Sequence, residues 1–187
     1  LLELGLTPSG GEILVSGATG GVGMVAIMLL SQLGFEAVAL TSKIDQSEFF
    51  TQIGAKRVED ARSYYETGRV LQKGQYQGAI DVLGSIPLVN ICAQIQYGGV
   101  VATCGLARGM DLPGSVAPFI LRGVTLAGID SVMAPRSARL KAWKLLSENI
   151  RSAEIRSQVE EITLQEAIPT AKKMIAGQIR GRYVVKI

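Results

Sequence analysis

The sequence predicts an α/β fold, a doubly wound parallel sheet covered by helices on both faces, and three observations carry that expectation. Short apolar strands alternate with helical stretches over roughly the first 150 residues. The strands are continuous apolar runs such as Ile13-Leu14-Val15, as a parallel sheet buried on both faces requires. Between the first strand and the first helix lies a glycine-rich turn, Gly17-Ala18-Thr19-Gly20-Gly21-Val22-Gly23.

The elements follow in order. Thr7-Pro8-Ser9-Gly10-Gly11-Glu12 is turn chemistry, after which Ile13 to Val15 forms a strand ending at Ser16-Gly17. An all-round apolar helix runs from about Gly21 to Leu33, with Gly34 as its stop. Glu36 to Leu40 is the second strand. Asp45 or Ser47 is placed to cap a helix carrying Phe49, Phe50 and Ile53 on one face, closed by Gly54. Arg57-Val58 is a brief third strand, and the polar stretch that follows suggests a helix over Ser63 to Leu71. Ala79 to Leu83 is the fourth strand, Pro87 to Gln96 a helix, Gly99 to Cys104 the fifth strand and Val124 to Ile129 the sixth. Between the last two, Leu112 to Leu121 reads as an apolar loop. Pro135 opens an amphipathic helix in which Leu140, Trp143, Leu146 and Ile150 share a face. The remainder differs in character. Glu154 to Ile162 alternates like a half-exposed strand, Leu164 to Ile175 is a helix and Tyr183 to Ile187 a terminal strand, and this tail need not join the same sheet. The division expected is therefore a nucleotide-binding domain over 1–154 and a strand-helix-strand segment over 155–187.

Composition excludes several classes. A hydrophobic share of 48% with 19% charged residues is that of an ordinary globular protein. The longest apolar run, 22–30, is far short of the about 18 residues that a membrane span needs. No signal peptide opens the chain, and Leu1 begins in what reads as the end of a helix, so a longer protein is expected. The net charge of +3 is scattered, without the basic stripe that nucleic-acid binding requires. With no histidine and with Cys92 and Cys104 inside apolar segments, no zinc site is expected; the cysteines read as reduced, buried thiols in a cytoplasmic protein.

The glycine turn carries the chemistry. A strand before and a helix after give it the context of a dinucleotide fingerprint, in a fold of Rossmann type. Gly17 permits the turn, Gly20 admits the pyrophosphate, and Gly23 allows close helix–sheet packing. The free N–H groups of Gly21 and Val22 at the helix start favour an anion. The second strand ends Leu40-Thr41-Ser42-Lys43, where NAD-preferring domains place a carboxylate. The Ser42 hydroxyl and Lys43 ammonium suit a 2′-phosphate and point to NADP(H), although Asp45 could serve NAD. Because ligands sit beyond the carboxyl ends of the strands, Leu83-Gly84, Gly105-Leu106 and Ser131 join the candidate contacts.

The chain resembles the cofactor domain of the medium-chain dehydrogenase/reductase superfamily, and within its zinc-independent quinone oxidoreductase branch the YhdH/YhfP group of acrylyl-CoA reductases. Gly20-Gly21-Val22-Gly23, Gly78-Ala79-Ile80-Asp81, Tyr97-Gly98-Gly99 and Cys104-Gly105-Leu106-Ala107 carry the likeness. More specific are Pro118-Phe119-Ile120-Leu121-Arg122-Gly123-Val124, Gly128-Ile129-Asp130-Ser131-Val132-Met133 and Gln178-Ile179-Arg180-Gly181-Arg182. The resemblance implies NADPH-dependent reduction of an activated C=C bond in an acrylyl-CoA-like enoyl thioester, or of a quinone. It also implies a homodimer paired through the sixth strand, and a GroES-like catalytic domain to which residues 155–187 return. The group's Ser-Gly-Arg at the 2′-phosphate is here Thr41-Ser42-Lys43, which keeps hydroxyl and charge but loses the bidentate guanidinium. No catalytic acid or nucleophile–base pair is visible, and Ser131 and Arg182 are the candidate contacts near the nicotinamide end or the cleft. Two readings stay open: the cofactor half of a reductase, or a non-catalytic dinucleotide-sensing module.

Overall fold

The computed structural model describes residues 1–187. Its strands are β1 (Glu12–Ser16), β2 (Glu36–Thr41), β3 (Ala55–Asp60), β4 (Tyr76–Asp81), β5 (Ile95–Thr103) and β6 (Thr125–Gly128). They form one sheet in the order β3-β2-β1-β4-β5-β6, and every pairing is parallel. The chain winds outward from β1 in one direction, returns, and continues from β4 in the other, so a crevice opens between the carboxyl ends of β1 and β4.

Successive residues of each strand serve opposite faces. Ile13, Val15, Ala37, Ala39 and Val100 pack with Met24 and Ile27 of α1 (Gly21–Gln32) and Phe49 and Phe50 of α2 (Ser47–Gln52). Leu14, Val38, Leu40 and Val101 point the other way, onto Leu88, Ile91 and Cys92 of α3 (Ser85–Ala93) and onto Tyr64 and Tyr76. Both faces are thus buried, which is why the strands read as unbroken apolar runs. Gly34 and Gly54 follow α1 and α2 with φ of 80° and 99°, the left-handed conformation that ends a helix cheaply only at glycine.

Several expectations fail. Residues 63–71 are not a helix: a 3₁₀ turn at Ala61–Tyr64 is followed by irregular chain whose backbone bonds to α3 side chains, as Gly68 N–H does to Asn90 Oδ1 at 3.1 Å. The apolar stretch 112–121 is no plain loop, since it contains α4 (Ala117–Arg122), with Pro118 in the first turn and left-handed Gly123 as its stop. Neither Asp45 nor Ser47 caps α2 through its side chain. On α5 (Arg136–Asn149) the shared apolar face divides: Leu146 packs on the core and Ile150 just beyond the helix is buried, while Leu140 and Trp143 are exposed. The strand expected over 154–162 begins instead as α6 (Ser152–Arg156), and only Val159–Thr163 is extended, as β7. Finally Cys104 is exposed, because β5 ends one residue earlier; Cys92 is buried as expected. Burial, with the Asp81 carboxylate nearby, pushes the Cys92 thiol up to about 12, which keeps it protonated.

After β7 come α7 (Leu164–Ile175) and β8 (Arg182–Lys186), and β7 and β8 pair in parallel as a separate two-stranded sheet.

Candidate functional site

The crevice between β1 and β4 is held open by one buried carboxylate. Asp81 Oδ1 accepts from Ser16 Oγ at 2.8 Å and from Leu83 N–H at 3.1 Å; Oδ2 accepts from Gly84 N–H at 3.0 Å and Thr103 Oγ1 at 3.1 Å. Ser16 Oγ in turn accepts from Val82 N–H at 2.9 Å. The exits of β1, β4 and β5 are therefore tied to a single side chain, and a charge in the core is satisfied by four donors.

The turn leaving β1 is shaped by near-contact of backbone. Gly17 has φ of 58°, and Gly20 N–H closes the turn onto Gly17 O at 2.9 Å. A Cβ on Gly23 would lie 2.6 Å from Gly17 O and 2.8 Å from Ala18 Cα, so α1 can approach the turn only as glycine. Met24 N–H bonds Gly20 O at 3.0 Å as the helix begins, which leaves the N–H groups of Gly21, Val22 and Gly23 without helical partners. Their dipoles add to a positive helix end facing the crevice.

Around this turn lies a cleft of about 340 Å³. Gly17, Thr19, Gly20 and Gly21 form its floor, Thr41, Ser42 and Lys43 one side, and Ala61, Tyr65 and Leu83 the other. The 177–182 stretch closes it from above, through Gly177, Ile179, Arg180, Gly181 and Arg182. Gly181 N–H donates to Thr19 O at 3.0 Å, and the Lys43 ammonium donates to Ile179 O. Arg182 lies across the glycine turn, where a Cβ on Gly21 would sit 2.5 Å from its Nη1. Lys43 is held by its backbone, whose N–H donates to Thr41 Oγ1 at 3.1 Å. Burial lowers the pKa of its ammonium; Asp45 opposes the shift and Arg180 adds to it. Lys43, Arg180 and Arg182 take part in no ion pair, although the chain makes seven elsewhere. A cleft floored by a helix N-terminus and ringed by three unneutralised cations is built for a polyanion.

Of the residues expected at the site, the structure gathers Gly20, Gly21, Ser42, Lys43, Leu83 and Arg182 in this cleft. Gly23 stands behind the turn, and the Val22 side chain is exposed beside it. Gly105, Leu106 and Ser131 lie beyond the ends of β5 and β6, outside the lining. Gly105 meets a packing demand, since a Cβ there would fall 2.5 Å from Val82 O. Sequence reasoning passed over Asp81, whose signal was a lone carboxylate closing an apolar strand. It also assigned no role to Thr19 within the turn itself, nor to Tyr65, Ile179 and Arg180, which only the fold brings to the crevice.

No group of three or more His, Cys, Asp or Glu residues comes together in a way that could hold a metal ion. No helix is long and apolar enough to cross a membrane.

A family described as zinc-binding dehydrogenase matches residues 21–148. The chain is 43% identical over 187 residues to the Escherichia coli protein named "probable acrylyl-CoA reductase AcuI", covering all of this chain and 57% of that protein. Over its whole length it superposes with a TM-score of 0.94, at 43% identity, on E. coli K-12 YhdH with bound NADPH, of which it spans 57%. Bacillus subtilis YhfP, solved with NAD bound, gives a TM-score of 0.91 at 39% identity and again 57% of that chain. The resemblance to the YhdH/YhfP group read from the sequence strings is thereby borne out.

Proposed function

The chain belongs to the zinc-binding dehydrogenase family, and from that premise we propose that it is the NADP(H)-holding part of an oxidoreductase that reduces an activated C=C bond, with a quinone as the other acceptor class. The observation that carries the reading is the convergence of Lys43, Arg180 and Arg182, none of them ion-paired, on the N-terminal end of α1 at the switch point of the sheet. The pyrophosphate would rest on the N–H groups of Gly21 and Val22 beneath the Arg182 guanidinium. The adenosine 2′-phosphate would meet Ser42 and Lys43. Leu83 would border the ribose, and Gly105, Leu106 and Ser131, at the ends of β5 and β6, would border the nicotinamide. When bound there, the cofactor would supply hydride chemistry, for the β-carbon of an enoyl thioester or for a quinone. This chain's own residues position that cofactor and screen it from water. Zinc does not fit these residues: histidine is absent, Cys92 is buried, and no three ligand-type side chains come together.

Because the chain spans 57% of the proteins it matches, the substrate side is read from likeness. The name of the E. coli relative supports an acrylyl-CoA-type thioester. Residues 1–154 would form the cofactor domain and 155–187 a segment shared with a catalytic domain of GroES-like type. The open outer edge of β6 supports a homodimer paired through that strand, which a monomer in sedimentation analysis would refute. Cytoplasmic placement rests on the free cysteines alone.

Titration of the protein with NADPH and NADH, followed by nicotinamide fluorescence, tests the cofactor site. NADPH should bind at least about tenfold more tightly, the worth of a charge-assisted phosphate contact. Equal binding would overturn the 2′-phosphate assignment, and no binding the nucleotide reading. Turnover of acrylyl-CoA with NADPH by the full-length protein, set beside a quinone panel, decides the acceptor.

A further inference from the structure

The 2′-phosphate site assigned above lacks a fork: Lys43 is a point charge and Ser42 a hydroxyl. A guanidinium does stand at the cleft, but it arrives from the far end of the chain. Arg180 lines the same cleft as Thr41, Ser42 and Lys43. Its Cζ lies 4.7 Å from the centroid of the Phe49 ring. Phe49 is itself buried in α2 and set edge-on against Phe50, with the ring centroids 5.2 Å apart. The ring therefore fixes a long, otherwise mobile side chain, at the cost of little further entropy on binding. Burial is the main cause that lowers the pKa of the Lys43 ammonium; Asp45 opposes it and the positive field of Arg180 adds to it, and no carboxylate pairs with either cation. Two like charges converging from separate elements repel one another until a dianion lies between them. The Lys43 ammonium meanwhile bonds Ile179 O, one residue from Arg180, so the two arms are already mechanically joined.

We propose that Arg180 is the second arm of the 2′-phosphate site, supplying from the C-terminal segment the bidentate contact that the end of β2 lacks, and that the phosphate thereby clasps the 177–182 stretch over the cleft. The proposal rests on the NADP(H) reading and adds a specificity-determining residue to it. Discrimination between phosphorylated and plain nucleotide then depends on a residue about 140 positions from the β2 terminus.

The test is calorimetric titration of the wild-type protein and of the R180Q and R180K variants with 2′,5′-ADP, 5′-AMP and inorganic phosphate, with thermal melts confirming folding. Arg180 is exposed and in no helix or strand, so both variants should fold. R180Q should weaken 2′,5′-ADP by about 10- to 100-fold and leave 5′-AMP within about twofold, while R180K falls between them. Inorganic phosphate should bind too weakly to saturate, which places the recognition in the nucleotide. Equal losses for 2′,5′-ADP and 5′-AMP, or no loss for either, would overturn the role of Arg180 while leaving the NADP(H) reading intact. Wild-type protein that ranks the two nucleotides equally would overturn both. Tight binding of phosphate alone would replace the nucleotide subsite with a general anion site and overturn the proposal.

Discussion

The six-stranded sheet and the β7–α7–β8 unit use the same parallel strand–helix–strand connection, yet they bury very different amounts of it. In the sheet both faces are covered, and residues such as Ile13, Leu14, Val15, Val38 and Val101 are wholly inaccessible. In 151–187 only Ile162 is buried, while Leu164, Ile168, Ile175 and Val184 are half or more exposed. Two parallel strands and one helix cannot enclose a core, so this unit draws its order from elsewhere. Ile155 packs on the sheet's core from this region, and at the cleft it is joined by Gly181 to Thr19, Lys43 to Ile179, and Arg180 on Phe49. The region that holds the nucleotide's floor is thus rigid, and the region that covers it is poised at low local stability. A binding cleft needs that pairing, because the cover must open for exchange and gain order from what it covers.

The largest expected effect breaks the rigid half. Replacing Asp81 by Ala strips the acceptor from Ser16, Leu83, Gly84 and Thr103 at once, in a place water does not reach. The cost should be about 3–5 kcal/mol of global stability, read as a lowered urea midpoint with unchanged slope. D81N keeps the size and part of the acceptor capacity and should lose less. A midpoint matching wild type would mean that packing alone sets the strand exits.

A smaller effect should be confined to the cover. Gly181 has φ of 71°, and a Cβ there would sit 2.6 Å from Gln158 O. G181A should therefore weaken the 177–186 stretch by about 1–2 kcal/mol and speed its amide exchange about tenfold or more, with the urea midpoint of the sheet unmoved. Should the global midpoint fall in step, the two regions are one cooperative unit and the contrast drawn above is wrong.

The contrast also explains what the sequence made legible. Buried parallel strands announce themselves as apolar runs, and the glycine turn needs glycine for steric reasons at Gly17 and Gly23, so sheet and floor could be read directly. The stretches misread were those whose conformation depends on distant partners. Residues 65–71 carry a helix-like pattern but are drawn into irregular chain by Asn90, which bonds Gly68 N–H and the carbonyls of Tyr64 and Glu66. Glu154 to Ile162 alternates like a strand, yet Glu154 accepts from the Arg151 N–H at 3.3 Å and the stretch begins inside a helix. The place of Arg180 at the cleft could not be read for the same reason: nothing local says that a residue after α7 returns to the end of β2. Asp81 is the instructive omission, since a carboxylate ending an apolar strand needs donors, and the strand exits are where donors are free.

The smallest effect separates the two regions by pH. Burial pushes the Glu59 carboxyl up, but hydrogen bonds from Tyr64 Oη at 2.6 Å, from Tyr76 Oη and from Arg57 Nη1 at 2.8 Å outweigh it and hold the pKa below its ordinary value of about 4.5. Glu12 shifts the same way, chiefly through its hydrogen bonds from Arg57. A pKa depressed in the fold means stability that is fully present above the unfolded value and is lost as pH falls through the folded one. The sheet should therefore soften below about pH 4.5, and E59Q, costing about 1 kcal/mol at neutral pH, should flatten that acid slope until it meets wild type near pH 3. In the cover, Glu166 is lowered too, by the Thr163 N–H and hydroxyl that it accepts from at the start of α7. Being exposed, it should move only local exchange, so E166Q should speed exchange in α7 at neutral pH without altering the global acid slope. Urea midpoints taken from pH 3 to 7 decide the first claim and amide exchange the second. If E166Q flattened the global slope as E59Q does, acid would be melting cover and sheet together, and the division between them would not survive.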